Sequence, residues 1–271
     1  MRFLYRWVLA FMAMLVLGQF ALAQTPKTVQ LEELTWTELR DQIHAGKTTV
    51  IVPIGGTEQS GPDVALGKHN ARVKVLSQRI AEGLGHALVA PVIAYVPEGR
   101  YAPPSGHMRF PGTITVPDDV FEKTLESAAN SFKLHGFTHV VFLGDHGGYQ
   151  DGIKRVVARL NKSWAGSGAR AFMPPEYYRA SSDGYASILR QQGYRDDEIG
   201  THAGLADTSL QLAVAPQMVR QEQLRSDRHH SAVDGIYGGD PRRSSAELGR
   251  LGVDAIITQT IDAIKKEIAA R

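Results

Sequence analysis

Thr48-Thr49-Val50-Ile51-Val52-Pro53-Ile54-Gly55-Gly56-Thr57-Glu58-Gln59-Ser60-Gly61-Pro62 is the stretch that decides the fold. Its first half is apolar and β-branched, which reads as a buried strand; its second half is polar and glycine-rich, which reads as a loop at that strand's carboxyl end. A helical pattern follows from Ala71 to about Leu84, with Val73, Leu76, Ile80 and Leu84 on one face. The cycle then recurs. Ala87 to Val96 and Thr138 to Leu143 are further apolar runs, the second ending in Gly144-Asp145-His146-Gly147-Gly148. Helical patterns occupy Phe121 to Leu134, Gln150 to Trp164, Glu176 to Gln192, Leu205 to Val214 and Ser245 to Ala270, and Ala169 to Met173 reads as a short strand. Upstream, Thr35-Trp36-Thr37-Glu38 is a capping box opening a short helix that Gly46 closes. Strands alternating with helices predict right-handed crossovers and an α/β three-layer sandwich with a mostly parallel central sheet, which binds its ligands at the strands' carboxyl ends.

The amino terminus has a different logic. Arg2 and Arg6 precede an apolar run from Trp7 to Leu17, and Ala21-Leu22-Ala23 follows. That is the pattern of a secretory signal peptide over residues 1–23, since the run is well short of the roughly 20 residues needed to cross a bilayer. An uncleaved anchor is the alternative. Residues 24–271 are expected to form one soluble domain, exported to the periplasm or secreted, with no stable membrane insertion after cleavage. Removing the leader takes away two arginines and no acids, so the formal charge falls from +2 to 0, and nothing in the balance argues for a nucleic-acid partner. With no cysteine, thiol nucleophiles, zinc ribbons, iron–sulfur clusters and disulfides are all excluded.

The residues able to do chemistry gather in loops that follow strands. Glu58 and His146 each lie just past a strand among glycines, so they converge if their strands are neighbours. With His69 they offer a carboxylate and two imidazoles, a donor set for Zn²⁺ or Mn²⁺ that leaves a position open for a water whose pKa the ion lowers toward neutrality. His202, in Gly200-Thr201-His202-Ala203-Gly204, is placed to shuttle protons beside Glu58. Asp207, in the next helix's first turn, orients His202, binds metal, or simply answers the helix dipole. Tyr101, His107 and Tyr149 are candidate substrate-binding residues, each equally readable as a packed side chain. Competing motifs fail: Gly61 and Gly67-Lys68 are separated by five residues where a phosphate loop has four, and His69 stands in place of its Ser or Thr. There is no G-x-S-x-G elbow and no G-x-G-x-x-G after a strand.

Four segments together resemble the creatininase (creatinine amidohydrolase) family. Pro53 to His69 is similar to its P-x-G-x-x-E-Q-H-G-P…G-T-D motif, and Ser105-Gly106-His107-Met108-Arg109-Phe110-Pro111-Gly112-Thr113-Ile114 to its E-H-x-x-F-P-G-T-I. Gly144 to Gly148 looks like N-G-H-G-G, His202 to Ser209 looks like H-A-G-x-x-E-T-S, and Gly238-Gly239-Asp240-Pro241 has a counterpart as well. The resemblance implies the family's fold, a homo-oligomer, hexameric in the family, and a binuclear metal centre. Residue by residue, Glu58 and His146 match, whereas Ser60 replaces a histidine, His69 replaces the bridging aspartate, Asp207 replaces a glutamate, and Gly148 stands where creatininase carries a carboxylate. A neutral imidazole offers one lone pair and cannot bridge two cations. The expectation is therefore one ion per chain, held by Glu58, His69 and His146 with Asp207 or water, zinc being favoured over manganese; a second ion would bind only weakly through Asp63 or Asp207. The implied function is an exported, metal-dependent amidohydrolase that cleaves a C–N bond of a small cyclic or linear amide with metal-activated water. The alternative is a non-catalytic exported binding protein with a degenerate metal site.

Overall fold

The computed structural model describes residues 26–226 and 231–270; the expected leader, residues 1–23, lies outside them. Helix α1 (Trp36–His44) leads into strand β1 (Thr49–Ile54), then α2 (Lys68–Leu84), β2 (Ala87–Val89), α3 (Asp118–Leu134), β3 (His139–Gly144), α4 (Gln150–Ser163) and β4 (Arg170–Phe172). Helices α5 (Pro175–Arg179) and α6 (Tyr185–Gln191) are joined by a π turn, Ala180–Gly184, and α7 (Asp196–Ile199), β5 (Gly200–His202), α8 (Leu205–Val214), α9 (Gln221–Leu224), β6 (Tyr237–Gly239) and α10 (Ala246–Ala269) complete the chain. Among the described residues no helix is long and apolar enough to cross a membrane.

The main sheet is wholly parallel in the order β2-β1-β3-β4, and β5 pairs antiparallel with β6. Side chains of successive strand residues point to opposite faces, and the two cores follow that alternation. Ile51, Val89, Val141 and Leu143 pack on one face with Val73, Leu76 and Ile80 of α2 and Val253 and Ile256 of α10. Val50, Val52, Leu88, Val140 and Phe142 pack on the other with Phe121 and Leu125 of α3 and Ile153 and Val156 of α4. This is the α/β three-layer arrangement the sequence predicts.

Local details hold too, with two differences. Thr35 Oγ1 accepts from Glu38 N while Thr35 N donates to Glu38 Oε2, closing the expected capping box. The run expected from Ala87 to Val96 is a strand only to Val89, because Pro91 has no N–H to continue a ladder. The pattern from Glu176 to Gln192 is interrupted by the π turn, a feature that often marks functional sites.

Candidate active site

β1 and β3 are neighbours with Ile54 opposite Gly144, so the loops leaving their carboxyl ends emerge side by side. One delivers Glu58, the other Asp145 and His146. Both loops are fixed from beneath by Tyr149, whose hydroxyl donates to the carbonyls of Ile54 and Gly55 and accepts from His146 N. Tyr149 is thus a buried brace and does not border the cleft as expected of a substrate-binding residue. Tyr101 is 70% exposed and does not border it either.

Glu58 is fully buried, and its two oxygens face different surroundings. Oε2 lies 3.2 Å from His107 Nε2 and 3.5 Å from His146 Nε2, and these three residues bring one donor atom each within 4.8 Å of one another. Oε2 has no hydrogen-bond partner, nor has either oxygen of the buried Glu98, whose Oε2 is 3.8 Å from His146 Nε2. Burial, reinforced by the neighbouring Glu58 charge, pushes the Glu98 carboxyl up to about 9. Burial also holds His107 below its ordinary value and His146 down at about 4, so both rings are neutral at pH 7. Glu58 Oε2, which makes no hydrogen bond, faces two neutral imidazoles with the Glu98 carboxyl held protonated nearby, and carboxylate with imidazole is a donor set that suits zinc. The residues fit a divalent ion. The outer bonds add a condition: Gln59 Nε2 donates to His107 Nδ1, and Gly148 N donates to His146 Nδ1. Both rings therefore rest with the proton on Nε2, and giving Nε2 to an ion requires moving it to Nδ1 and breaking these two bonds.

The Oε1 side differs in kind. His69, expected as a ligand, has both ring nitrogens engaged by acids, Nε2 at 2.8 Å from Glu58 Oε1 and Nδ1 at 2.6 Å from Asp145 Oδ2. Burial and the nearby Lys68 charge lower its pKa, but the two carboxylates outweigh them and the net shift is upward. With a carboxylate against each ring nitrogen and Arg72 Nη2 3.1 Å from Nδ1, neither nitrogen of His69 is free for a metal; His107 stands in the position expected of His69. Asp207 is likewise turned away. Its Oδ1 accepts from Arg72 Nη1 at 2.6 Å, and its Oδ2 accepts from Lys68 Nζ and from Ala203 N. Ala203 has φ of +54°, a left-handed conformation that costs a non-glycine residue about 1 kcal/mol or more, and this turn sets both His202 and Asp207 in place. Burial opposes ionisation of Asp145 and Asp207, but Arg72 beside both, with Lys68 on Asp207 and His69 on Asp145, holds them below the usual carboxylate range. Glu58 is held low in the same way by His69 and Lys68.

His202 does join the centre. Its Nδ1 is 3.6 Å from Glu58 Oε1, its Nε2 is 3.0 Å from the Gln59 carbonyl, and its ring lies 4.3 Å from that of His107. Burial, followed by the Lys68 charge, lowers it to about 3. The centre opens into a cleft of about 500 Å³ bordered by His107, His146, His202, Tyr178 and the π-turn residues Ser181 and Ser182. Sequence reading missed Lys68, Arg72, Asp145, Gln59 and Glu98. Lys68 and Arg72 carried one signal, the i, i+4 spacing that puts both on one face at a helix start; Asp145 adjoins the motif histidine. Nothing marked Glu98.

A family model described as creatinine amidohydrolase matches residues 32–264. Creatinine amidohydrolase of Pseudomonas putida is 25% identical over 265 residues, which cover 89% of this chain and 98% of that protein. The 3-dehydro-scyllo-inosose hydrolase of Thermotoga maritima is 25% identical over 205 residues, 73% of this chain and 60% of its own length. Among solved structures, a creatininase described as its Mn form superposes with a TM-score of 0.73 at 23% identity, covering 90% of this chain and 100% of the other.

Proposed function

Because the chain belongs to the creatininase family, we propose that it is an exported, metal-dependent amidohydrolase that cleaves a C–N bond of a small cyclic or linear amide. The observation carrying the reading is the group of Glu58 Oε2, His107 and His146, in which a buried carboxylate oxygen that makes no hydrogen bond lies within 3.5 Å of two neutral imidazoles. These three would hold one divalent ion, zinc in preference to manganese. When bound, the ion polarises the carbonyl and activates water.

The remaining work falls to the chain's own side chains. Glu58 orients the attacking water, its Oε1 fixed by His69. His202, neutral at rest, presents Nδ1 to the centre and keeps Nε2 against Gln59. It therefore accepts a proton from the attacking water first and then passes it to the leaving nitrogen. Tyr178 and the π turn border the space left for substrate, and Glu58, Glu98 and Asp145 beside it are buried. Relatives that include a creatinine amidohydrolase and a 3-dehydro-scyllo-inosose hydrolase support a small cyclic substrate on this scaffold.

The test is metal retention with turnover. Metal-stripped protein reloaded with Zn²⁺ or Mn²⁺ should keep the ion through gel filtration and hydrolyse members of a small-amide panel, and His107→Ala and His146→Ala should lose both properties. Wild-type protein that retains neither ion would defeat the reading; retention without turnover would favour an exported binding protein. Light scattering on the same samples checks the proposed homo-oligomer, and fractionation of expressing cells checks export.

A further inference from the structure

The charged side chains on the Oε1 side of Glu58 close a ring. Glu58 Oε1 meets His69 Nε2 at 2.8 Å, His69 Nδ1 meets Asp145 Oδ2 at 2.6 Å, and Arg72 joins Asp145 at 2.8 Å to Asp207 at 2.6 Å. Lys68 Nζ completes the circuit, bonded to Asp207 Oδ2 and 3.6 Å from Glu58 Oε1. Acid and base alternate around the ring, three carboxylates against Lys68, Arg72 and a His69 with a carboxylate at each ring nitrogen. Lys68 is 1% exposed, and an ammonium is buried so completely only when anions surround it. Take Lys68 away and what remains is an oxygen of the fully buried Glu58 and one of the mostly buried Asp207 facing one small space, which is what a divalent cation requires.

We propose that the Lys68 ammonium is the centre's built-in second cation: held between Glu58 and Asp207, it fills the charge and space of a second metal ion, limits the centre to one ion, and leaves Glu58 Oε2 free for His107 and His146. This rests on the metal reading of those three residues. Lys68 is a positioning residue on this account, since it touches Glu58 and not the reacting atoms. The ring also explains why His69 and Asp207 do not face the His107 side: their polar atoms are consumed in neutralising one another.

The experiment is a metal titration of EDTA-stripped full chain by calorimetry, with elemental analysis after gel filtration. Wild-type protein should take up one equivalent of Zn²⁺. Lys68→Met should take up two, the second weaker and displaced first by chelator. Lys68→Met combined with Asp207→Asn, which removes one charge of each sign, should return to one. Circular dichroism verifies folding, and Lys68→Gln, which keeps a hydrogen-bond donor without the charge, replaces Lys68→Met if that variant does not fold. Two equivalents in the wild type, or one in every charge-removed variant, overturns the inference while leaving the metal reading intact; no ion in the wild type overturns the metal reading itself.

Discussion

Arg72→Met is the sharpest probe of the buried ring. The guanidinium donates to Asp145 Oδ2 from Nε at 2.9 Å and to Asp207 Oδ1 from Nη1 at 2.6 Å, and it is 3% exposed. Methionine fills most of the volume, so the loss is chiefly electrostatic: the buried Asp145 and the mostly buried Asp207 lose their shared cation. Removing one partner of a buried ion pair costs about 3–5 kcal/mol, against a total domain stability of roughly 5–15 kcal/mol. At about 2–4 °C per kcal/mol for a domain of this size, the melting temperature should fall by about 6–20 °C. Urea denaturation followed by circular dichroism in EDTA isolates the effect from any metal. The pH dependence supplies a second reading. Asp145 and Asp207 are held below their ordinary 3.8 in the fold, so their contribution is present above that value and is lost as pH falls through the depressed folded values. The gap between wild type and variant should therefore be full at pH 7 and narrow below about pH 4. A variant within about 1 kcal/mol of wild type at pH 7, the size of a solvent-exposed pair, would refute the claim that the ring is desolvated and closed.

Glu98→Gln tests the orphaned carboxyl. With its pKa raised to about 9 from 4.5, Glu98 in the metal-free fold costs stability that is absent below 4.5 and grows as pH rises toward 9, so the variant in EDTA should gain on wild type between pH 5 and 9 and match it in acid; a constant difference in urea midpoints would contradict this. Tyr177→Phe removes the hydroxyl that donates to Asp145 Oδ1 at 2.8 Å and should cost about 1–3 kcal/mol through the unsatisfied buried oxygen, read by the same denaturation. Phe142→Ala, at a fully buried position in β3, should cost about 3–5 kcal/mol through the cavity it leaves without altering metal uptake. One equivalent of Zn²⁺ should move the ring proton of His107 and His146 from Nε2 to Nδ1, visible in histidine side-chain ¹⁵N shifts, while the shifts of His69 stay unchanged; a response at His69 and none at His107 would restore His69 as the ligand.

The fold was legible because its signals are local. Apolar runs at Thr49–Ile54 and His139–Gly144, amphipathic helices between them and the Thr35 capping box each occupy a few consecutive residues, and parallel pairing follows from their alternation. The site was legible only where chemistry coincides with a strand end. Glu58 and His146 carried that mark, and they come together with His202, which the sequence places in a glycine-flanked segment before a helix. His69 misled because its residue type fits a ligand, and whether a histidine coordinates or donates depends on what faces its second nitrogen; here that is Asp145, which lies 76 residues away in the chain. His107 arrives from a short 3-10 turn, Gly106–Arg109, where no periodicity fixes direction, so its sequence motif placed it near the pocket without assigning its partner. Glu98 sits in an irregular segment and acquires its character solely from burial beside Glu58.

The pattern of departures from the family's motifs gains a physical logic from the ring. An isolated exchange of a bridging carboxylate for His69 would place a cationic ring beside Lys68 in a buried space, at a Coulomb cost of several kcal/mol at the effective dielectric of a protein interior. That arrangement is tolerable only with anions on both sides, and Asp145, Asp207 and Glu58 supply them from three separate segments: the loop after β3, the first turn of α8 and the loop after β1. Arg72, one helical turn beyond Lys68, then balances the third acid. Positions 68, 69, 72, 145 and 207 therefore form one electrostatic unit, and exchanging any one of them alone leaves a buried charge of one sign. Restoring an aspartate at position 69 without also neutralising Asp145 or Asp207 should thus weaken the fold before it improves any metal site.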